Sequence, residues 1–289
     1  PDLASLTGAM LPGDLWVVGA LTGNGKTSFL MSEMQFLADQ GMTTLYLPLE
    51  LDPTQLRRRW AAWHLDLEWV HVARNEWDKL GEGAEEALTE RMRELAASPH
   101  VHFPEDRRPT MGRLAQWIKR SVVEADAKVV IVDHFHRLDF GQAGTNYRVQ
   151  VTEAVRALKD LAREHGVAVL VAAQLNQDAH GLDRYCPPTL RRLKESSGIG
   201  EEADVVLMLS RKLRVEVDSK EMAGIHQGLK SERDYEEPNI MMVTCRKHRL
   251  DDAARDRSVR LFVKGGKVES YYPWSPAIGR YQEDTWPNP

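Results

Sequence analysis

From residue 19 the chain runs Gly-Ala-Leu-Thr-Gly-Asn-Gly-Lys-Thr-Ser, small residues closed by a lysine and two hydroxyls. Glycines at 23 and 25 let backbone N–H groups approach an anion at dihedrals that side chains resist. Lys26 adds a point charge and Thr27 a hydroxyl suited to Mg²⁺. Gly19, Ala20, Leu21, Thr22, Gly23, Asn24, Gly25, Lys26, Thr27 and Ser28 are therefore the candidate nucleotide-binding residues. Ala20 stands where the usual pattern of this phosphate loop begins with glycine.

A phosphate loop and a metal-holding carboxylate bind a nucleotide but do not specify hydrolysis, which needs a group to orient or deprotonate water. Asp133 follows four branched apolar residues, 129–132, as expected of the metal partner. Glu50 ends the apolar run after the loop and is the candidate base, although it is also simply the first polar residue past a strand. Gln174 ends another run, and its amide could sense a phosphate. Lys247 and Arg249 are one residue apart and share a face if extended, so they could clamp a phosphate of an adjacent subunit or form a plain surface cluster. His134 and His136 would share a strand face and could hold a metal, but no third ligand lies near them in sequence.

These groups need a frame to position them. Residues 15–18 read as a buried strand, and the apolar positions Phe29, Leu30, Met34 and Leu37 as a helix opening at the phosphate loop. Strands are expected over 43–49, 101–103, 129–133, 167–173, 205–209, 240–245 and 258–263. Helices are expected from Pro53, capped by Asp52 with Gln55 as capping-box partner, over 82–97, from a Thr110 cap, and along the stripe Val151 to Ala162. Arg57, Arg58 and Arg59 read as a solvated helix face rather than a nucleic-acid patch. Residues 177–200 read as a polar loop, 211–238 as a charged surface excursion, and 271–289 as an irregular tail. Alternation of strands and helices predicts one α/β domain with a mostly parallel sheet, its ligands at the carboxyl ends of the strands.

The 289 residues, with 42% hydrophobic and 28% charged, are enough for a full core. No apolar run approaches a membrane span, and the start does not resemble a signal peptide, which predicts a soluble, cytoplasmic protein without membrane contact. The chain lacks an initiating Met and reads as a fragment. Cys186 and Cys245 are too few for a disulfide framework. A formal net charge of -5 gives no bulk attraction to nucleic acid, so any such contact must use a local basic surface.

In order, the Gly19–Thr27 loop, Leu49-Glu50 with its following arginine helix, Val130 to Asp133, Ala173-Gln174-Leu175-Asn176, Leu193-Lys194-Glu195-Ser196 leading to Glu202-Ala203-Asp204, and Lys247-His248-Arg249 resemble the ATPase domain of DnaB-type replicative helicases. The Thr22 to Gly25 loop is also similar to the phage and Twinkle-type relatives. The likeness spans roughly residues 3–268, implying one RecA-like P-loop NTPase domain over 1–268 and a separate aromatic, proline-rich tail over 269–289.

The resemblance implies a hexameric ring with ATP and Mg²⁺ between subunits, 5′ to 3′ movement on single-stranded DNA, duplex unwinding in DNA replication, and a primase or helicase loader as further partner. By position it gives Lys26 and Thr27 to phosphate and Mg²⁺, Asp133 to the metal, and catalysis to Glu50. Gln174 would couple phosphate state to DNA, and Lys247 and Arg249 would serve the neighbour's site. Lys194, Glu195, Ser196 and Ser197 would line the DNA channel, with Arg184, Arg191 and Arg192 as further candidates. Departures are Gly198, one place later than the family glycine, and His134-Phe135-His136 in place of an aromatic, Leu, Gln sequence. A recombinase of the RecA/RadA class and a clock-like or signalling ring ATPase that ignores nucleic acid are the competing readings.

Overall fold

The computed structural model describes residues 2–104, 108–139, 147–175, 188–213, 236–264, 267–270, 274–275 and 280–281. Its centre is β1 (Leu15–Ala20), buried along its whole length. Parallel partners flank β1 on both sides, β5 (Ala168–Gln174) and β6 (Val205–Leu213). Beyond β5 lie β4 (Val129–Asp133), β2 (Thr44–Pro48) and β3 (Val101–His102), again parallel. Past β6 the sheet turns antiparallel through β7 (Glu236–His248), β8 (Ser258–Lys264) and β9 (Lys267–Ser270). The order is β3-β2-β4-β5-β1-β6-β7-β8-β9.

Alternation along the buried strands sends apolar side chains to both faces, so helices must cover both. Trp16 and Val18, Ile131 and Leu170 face α1 (Asp2–Thr7), α2 (Lys26–Asp39), α3 (Pro53–His64), α4 (Trp69–Arg74) and α5 (Ala84–Ala96). Val17, Val130, Val132 and Val169 face α6 (Met111–Ala125), α7 (Tyr147–His165) and α8 (Ser197–Glu202). Thr110 caps α6 by accepting from Arg113 N. Asp52 caps α3 by accepting from Thr54 N at 2.8 Å, one residue before the box position expected of Gln55.

Three expectations need correction. Part of the predicted loop at 177–200 is helical: a 3-10 turn at Leu190–Ser196 runs into α8, anchored by buried Leu193 and Ile199. Gly198 is set by this packing, since a Cβ there would lie 2.6 Å from Thr152 Cγ2 on α7. The predicted excursion at 211–238 is strand at both ends, with Arg211 opposite Met241 and Leu213 opposite Glu236; residues 214–235 lie outside the described ones. The expected tail holds a small antiparallel ladder between β10 (Trp274–Ser275) and β11 (Arg280–Tyr281), its other residues lying outside the description. The short elements α1, α4 and β9 carry too little periodicity to be seen in sequence.

The arginine run is the fourth correction, because none of its members is solvated freely. Arg57 lies 5.4 Å from the Phe103 ring centroid, Arg58 5.4 Å from that of Trp77, and Arg59 5.9 Å from that of Trp69. Aromatic faces attract the planar guanidinium while leaving its edge to hydrogen-bond. Among the described residues no helix is long and apolar enough to cross a membrane.

Candidate active site

Register fixes the geometry of the site. Pro48 pairs with Asp133 and Ala20 with Gln174, so the carboxyl ends of β2, β4, β1 and β5 open on one edge of the sheet. There the phosphate loop joins β1 to α2. Gly23 and Gly25 have φ of 83° and 86°, left-handed values that glycine adopts freely. Gly25 also meets Met241 of β7, whose Cε would lie 2.7 Å from an added Cβ. Ala20 is fully buried, and Gly19 sits tight against Met208 Sδ, 2.6 Å from an added Cβ.

A cleft of about 450 Å³ opens over the loop, lined among others by Thr22, Gly23, Gly25, Lys26, Thr27, Ser28, Glu50 and Gln174. Lys26 Nζ donates to Ala20 O at 2.9 Å and Leu21 O at 3.4 Å, holding the ammonium inside the loop's curve. Burial lowers its pKa from the ordinary lysine value, opposed by the charges of Asp133 and Glu50. Gln174 Nε2 donates to Thr22 Oγ1 at 3.1 Å and so ties the end of β5 to the loop.

Asp133 is 2% exposed. Its Oδ2 accepts from Tyr46 Oη at 2.9 Å, while Oδ1 is buried with no hydrogen-bond partner among the described residues. Burial raises its pKa, and hydrogen bonds from Thr27 and Tyr46 pull the other way. Glu50, just beyond β2, has a side chain 43% exposed, and its Oε2 lies 3.0 Å from Nδ1 of the 5% exposed His134 side chain. Glu50, Asp133 and His134 each offer a ligand atom, all within 4.8 Å of one another. The two carboxylates, one of them with a buried and unpartnered Oδ1, fit a divalent cation that takes oxygen ligands. A His-x-His pair on one strand face, weighed in the sequence and disfavoured there for want of a third ligand, does not form: residues 135–137 turn into a 3-10 helix, and the neighbours of His134 are Glu50 and Asp133.

The cations at 247 and 249 lie elsewhere in the chain. Lys247 Nζ donates to Gly200 O at 2.9 Å and Glu201 O at 2.7 Å. Arg249 Nη1 pairs with Asp204 at 2.7 Å and Nη2 donates to Glu202 O at 3.2 Å. Both therefore sit on the C-terminal end of α8, where the helix dipole favours positive charge, and neither lines the cleft. Asp204 also accepts from Leu15 N at 2.8 Å and pairs with buried Lys159, locking β1 and α7 to the Arg249 segment.

Lys194, Glu195, Ser196 and Ser197 fall where the 3-10 turn meets α8, but their side chains lie outside the description, as does all of Arg184. Arg191 is exposed and Arg192 half-buried in the same turn. The cleft also contains groups that no sequence pattern marked, namely Arg59, Arg211 and Asn239. Arg59 donates to Ser28 Oγ at 2.7 Å, and its signal in sequence was masked by the two arginines beside it.

The sequence model of the family described as DnaB-like helicase C terminal domain matches residues 1–255. The chain belongs to this family. Among curated DnaB-like relatives, the replicative DNA helicase DnaB of Leifsonia xyli subsp. xyli is 24% identical over 220 residues, covering 75% of this chain and 47% of that protein. DnaB of Helicobacter pylori strain J99 is 25% identical, covering 73% and 42%. The chain thus spans about half the length of the DnaB proteins it matches. A solved ATPase domain is similar in fold, with TM-score 0.76, 18% identity, and coverage of 93% of this chain and 90% of that one. A DnaB-like replicative helicase solved with its interactions with primase gives TM-score 0.74 at 19% identity over 93% of this chain and 61% of that one. The RadB recombinase, at TM-score 0.53 and 16% identity over 93% and 96%, shares the fold less closely. The RecA-like P-loop architecture with its mostly parallel sheet is established by these likenesses together with the strand order.

Proposed function

We propose that this domain is the ATP-hydrolysing motor of a DnaB-type replicative helicase, working as a hexameric ring that moves 5′ to 3′ on single-stranded DNA and parts the duplex. The observation that supports it most is the convergence of Lys26, Thr27, Asp133, Glu50 and Gln174 on one edge of the sheet, from three strand ends and the start of one helix. Lys26 exchanges its carbonyl contacts for phosphate oxygens, and the amides at the start of α2 hold the same anion. Thr27 and Asp133, with Glu50 close by, would hold Mg²⁺. Bound there, the ion offsets phosphate charge. Glu50 orients water and takes its proton, and Gln174 reports the phosphate to the end of β5.

Lys247 and Arg249 lie outside the chain's own cleft, which suits a role at a neighbour's phosphate. The turn at 190–197, joined to α8, is our candidate DNA contact, with phosphate-directed binding that ignores sequence. The likeness to a DnaB-like replicative helicase that interacts with primase makes primase the first partner to try.

The test is steady-state ATP hydrolysis with and without long single-stranded DNA across protein concentrations, beside Glu50→Gln. DNA stimulation with a rate per subunit that rises on assembly is expected. Hydrolysis indifferent to DNA in a demonstrated ring would instead favour a ring ATPase acting on protein partners, and filaments in place of rings would favour a recombinase.

A further inference from the structure

Glu50 is a poor base if left to itself. Its side chain is 43% exposed and could spread over many rotamers, and fixing one of them has an entropic cost. One fixed group restrains it. His134 is buried at the end of β4, with extended backbone at φ -124° and ψ 156°, and its ring lies 5.8 Å from that of His136. The strand ends that carry the two residues are themselves pinned, since Leu49 N and Glu50 N both donate to Asp133 O, at 2.7 and 3.2 Å. The 3.0 Å contact between His134 Nδ1 and Glu50 Oε2 therefore joins a half-exposed carboxylate to a buried imidazole. Such a contact requires the tautomer in which Nδ1 carries hydrogen, and it leaves Oε1 free for the cleft that Glu50 lines.

We propose that His134 is a positioning residue for Glu50: its Nδ1–H holds Oε2 so that Oε1 points at the water that attacks the terminal phosphate. The inference rests on the reading of Glu50 as base. Proton transfer falls off steeply with misorientation, so the loss of this restraint acts on turnover and spares nucleotide binding.

The decisive experiment is a cycle of His134→Leu, His134→Asn, Glu50→Gln and the Leu/Gln double variant, read as kcat and KM for DNA-stimulated ATP hydrolysis. Binding of a fluorescent ATP analogue and thermal unfolding are measured on each protein. His134→Asn keeps an N–H near the place of Nδ1, and His134→Leu does not. A fall in kcat of about tenfold for Leu, with KM unchanged, recovery by Asn, and no further loss when Leu is added to Glu50→Gln are the expected results. Equal losses in Leu and Asn, a change confined to KM, or an undiminished Leu effect in the Glu50→Gln background overturns the proposal while leaving Glu50 as base. If Glu50→Gln itself hydrolyses ATP normally, the parent reading fails and this one with it. A Leu variant that does not fold leaves the Asn variant to decide, since a full loss of turnover in folded His134→Asn with unchanged analogue binding also overturns it.

Discussion

Several polar groups in the cleft are held by identifiable partners, and that makes the consequences of losing them directional. Lys26 is half-buried against its own loop and carries the one ammonium beside Asp133 among the cleft-lining residues. Lys26→Ala should lower hydrolysis by about 10²–10³-fold, with nucleotide affinity falling too, as measured by turnover and analogue binding. His136 offers a pH probe. Burial, aided by the charges of His134 and Lys26, takes its pKa down to about 4, and its Nδ1 has no hydrogen-bond partner among the described residues. The unfolded chain takes up that proton near the ordinary value of 6.5 and the folded one only near 4. Stability is thus present above 6.5 and is lost as pH falls from there to 4. His136→Gln should flatten that slope by on the order of 1 kcal/mol in denaturant titrations, the half-buried ring keeping the effect below the full shift.

At the scale of elements, the site depends on how helices are tied to the sheet. Asp204 collects Leu15 N from β1, Lys159 from α7 and Arg249 from the end of β7. Lys159→Met would leave the buried Asp204 carboxylate with two of its three partners, and unfolding measurements should show a loss of about 3–5 kcal/mol. The contacts of Gly25 make a different prediction. A Cβ there meets Met241 at a φ of 86°, so Gly25→Ala should abolish analogue binding before it unfolds the chain, and Met241→Ala should recover part of it. Helix α3 contributes both Trp60, buried in the core, and Arg59 in the cleft, so core and site share one rigid element.

For the whole molecule, the separation of Lys247 and Arg249 from the cleft has a consequence in mixtures. If sites are shared between subunits, Glu50→Gln and Arg249→Ala proteins, each inactive alone, should regain hydrolysis when mixed. In a 1:1 ring, about a quarter of interfaces pair an intact cleft with an intact arginine, and the rate should approach that fraction. No recovery in a mixed ring would mean that Arg249 serves its own subunit through Asp204.

Much of this was legible in the chain. The phosphate loop, the four branched residues before Asp133 and the strand ends at Glu50 and Gln174 are local patterns, because backbone dihedrals, burial period and anion geometry are settled within a few neighbouring residues. The parallel sheet followed from their alternation. What no local pattern holds is distance between residues far apart in sequence: Glu50 against His134, Arg59 against Ser28, Met241 against Gly25, and Arg249 on Asp204. The arginine run misled for the same reason, since its aromatic partners Phe103, Trp77 and Trp69 are brought to it by packing. Sequence alone marked the candidate chemical groups and the elements that carry them. Tertiary structure decided which side chains meet, because register and helix packing, summed over the whole sheet, set those contacts.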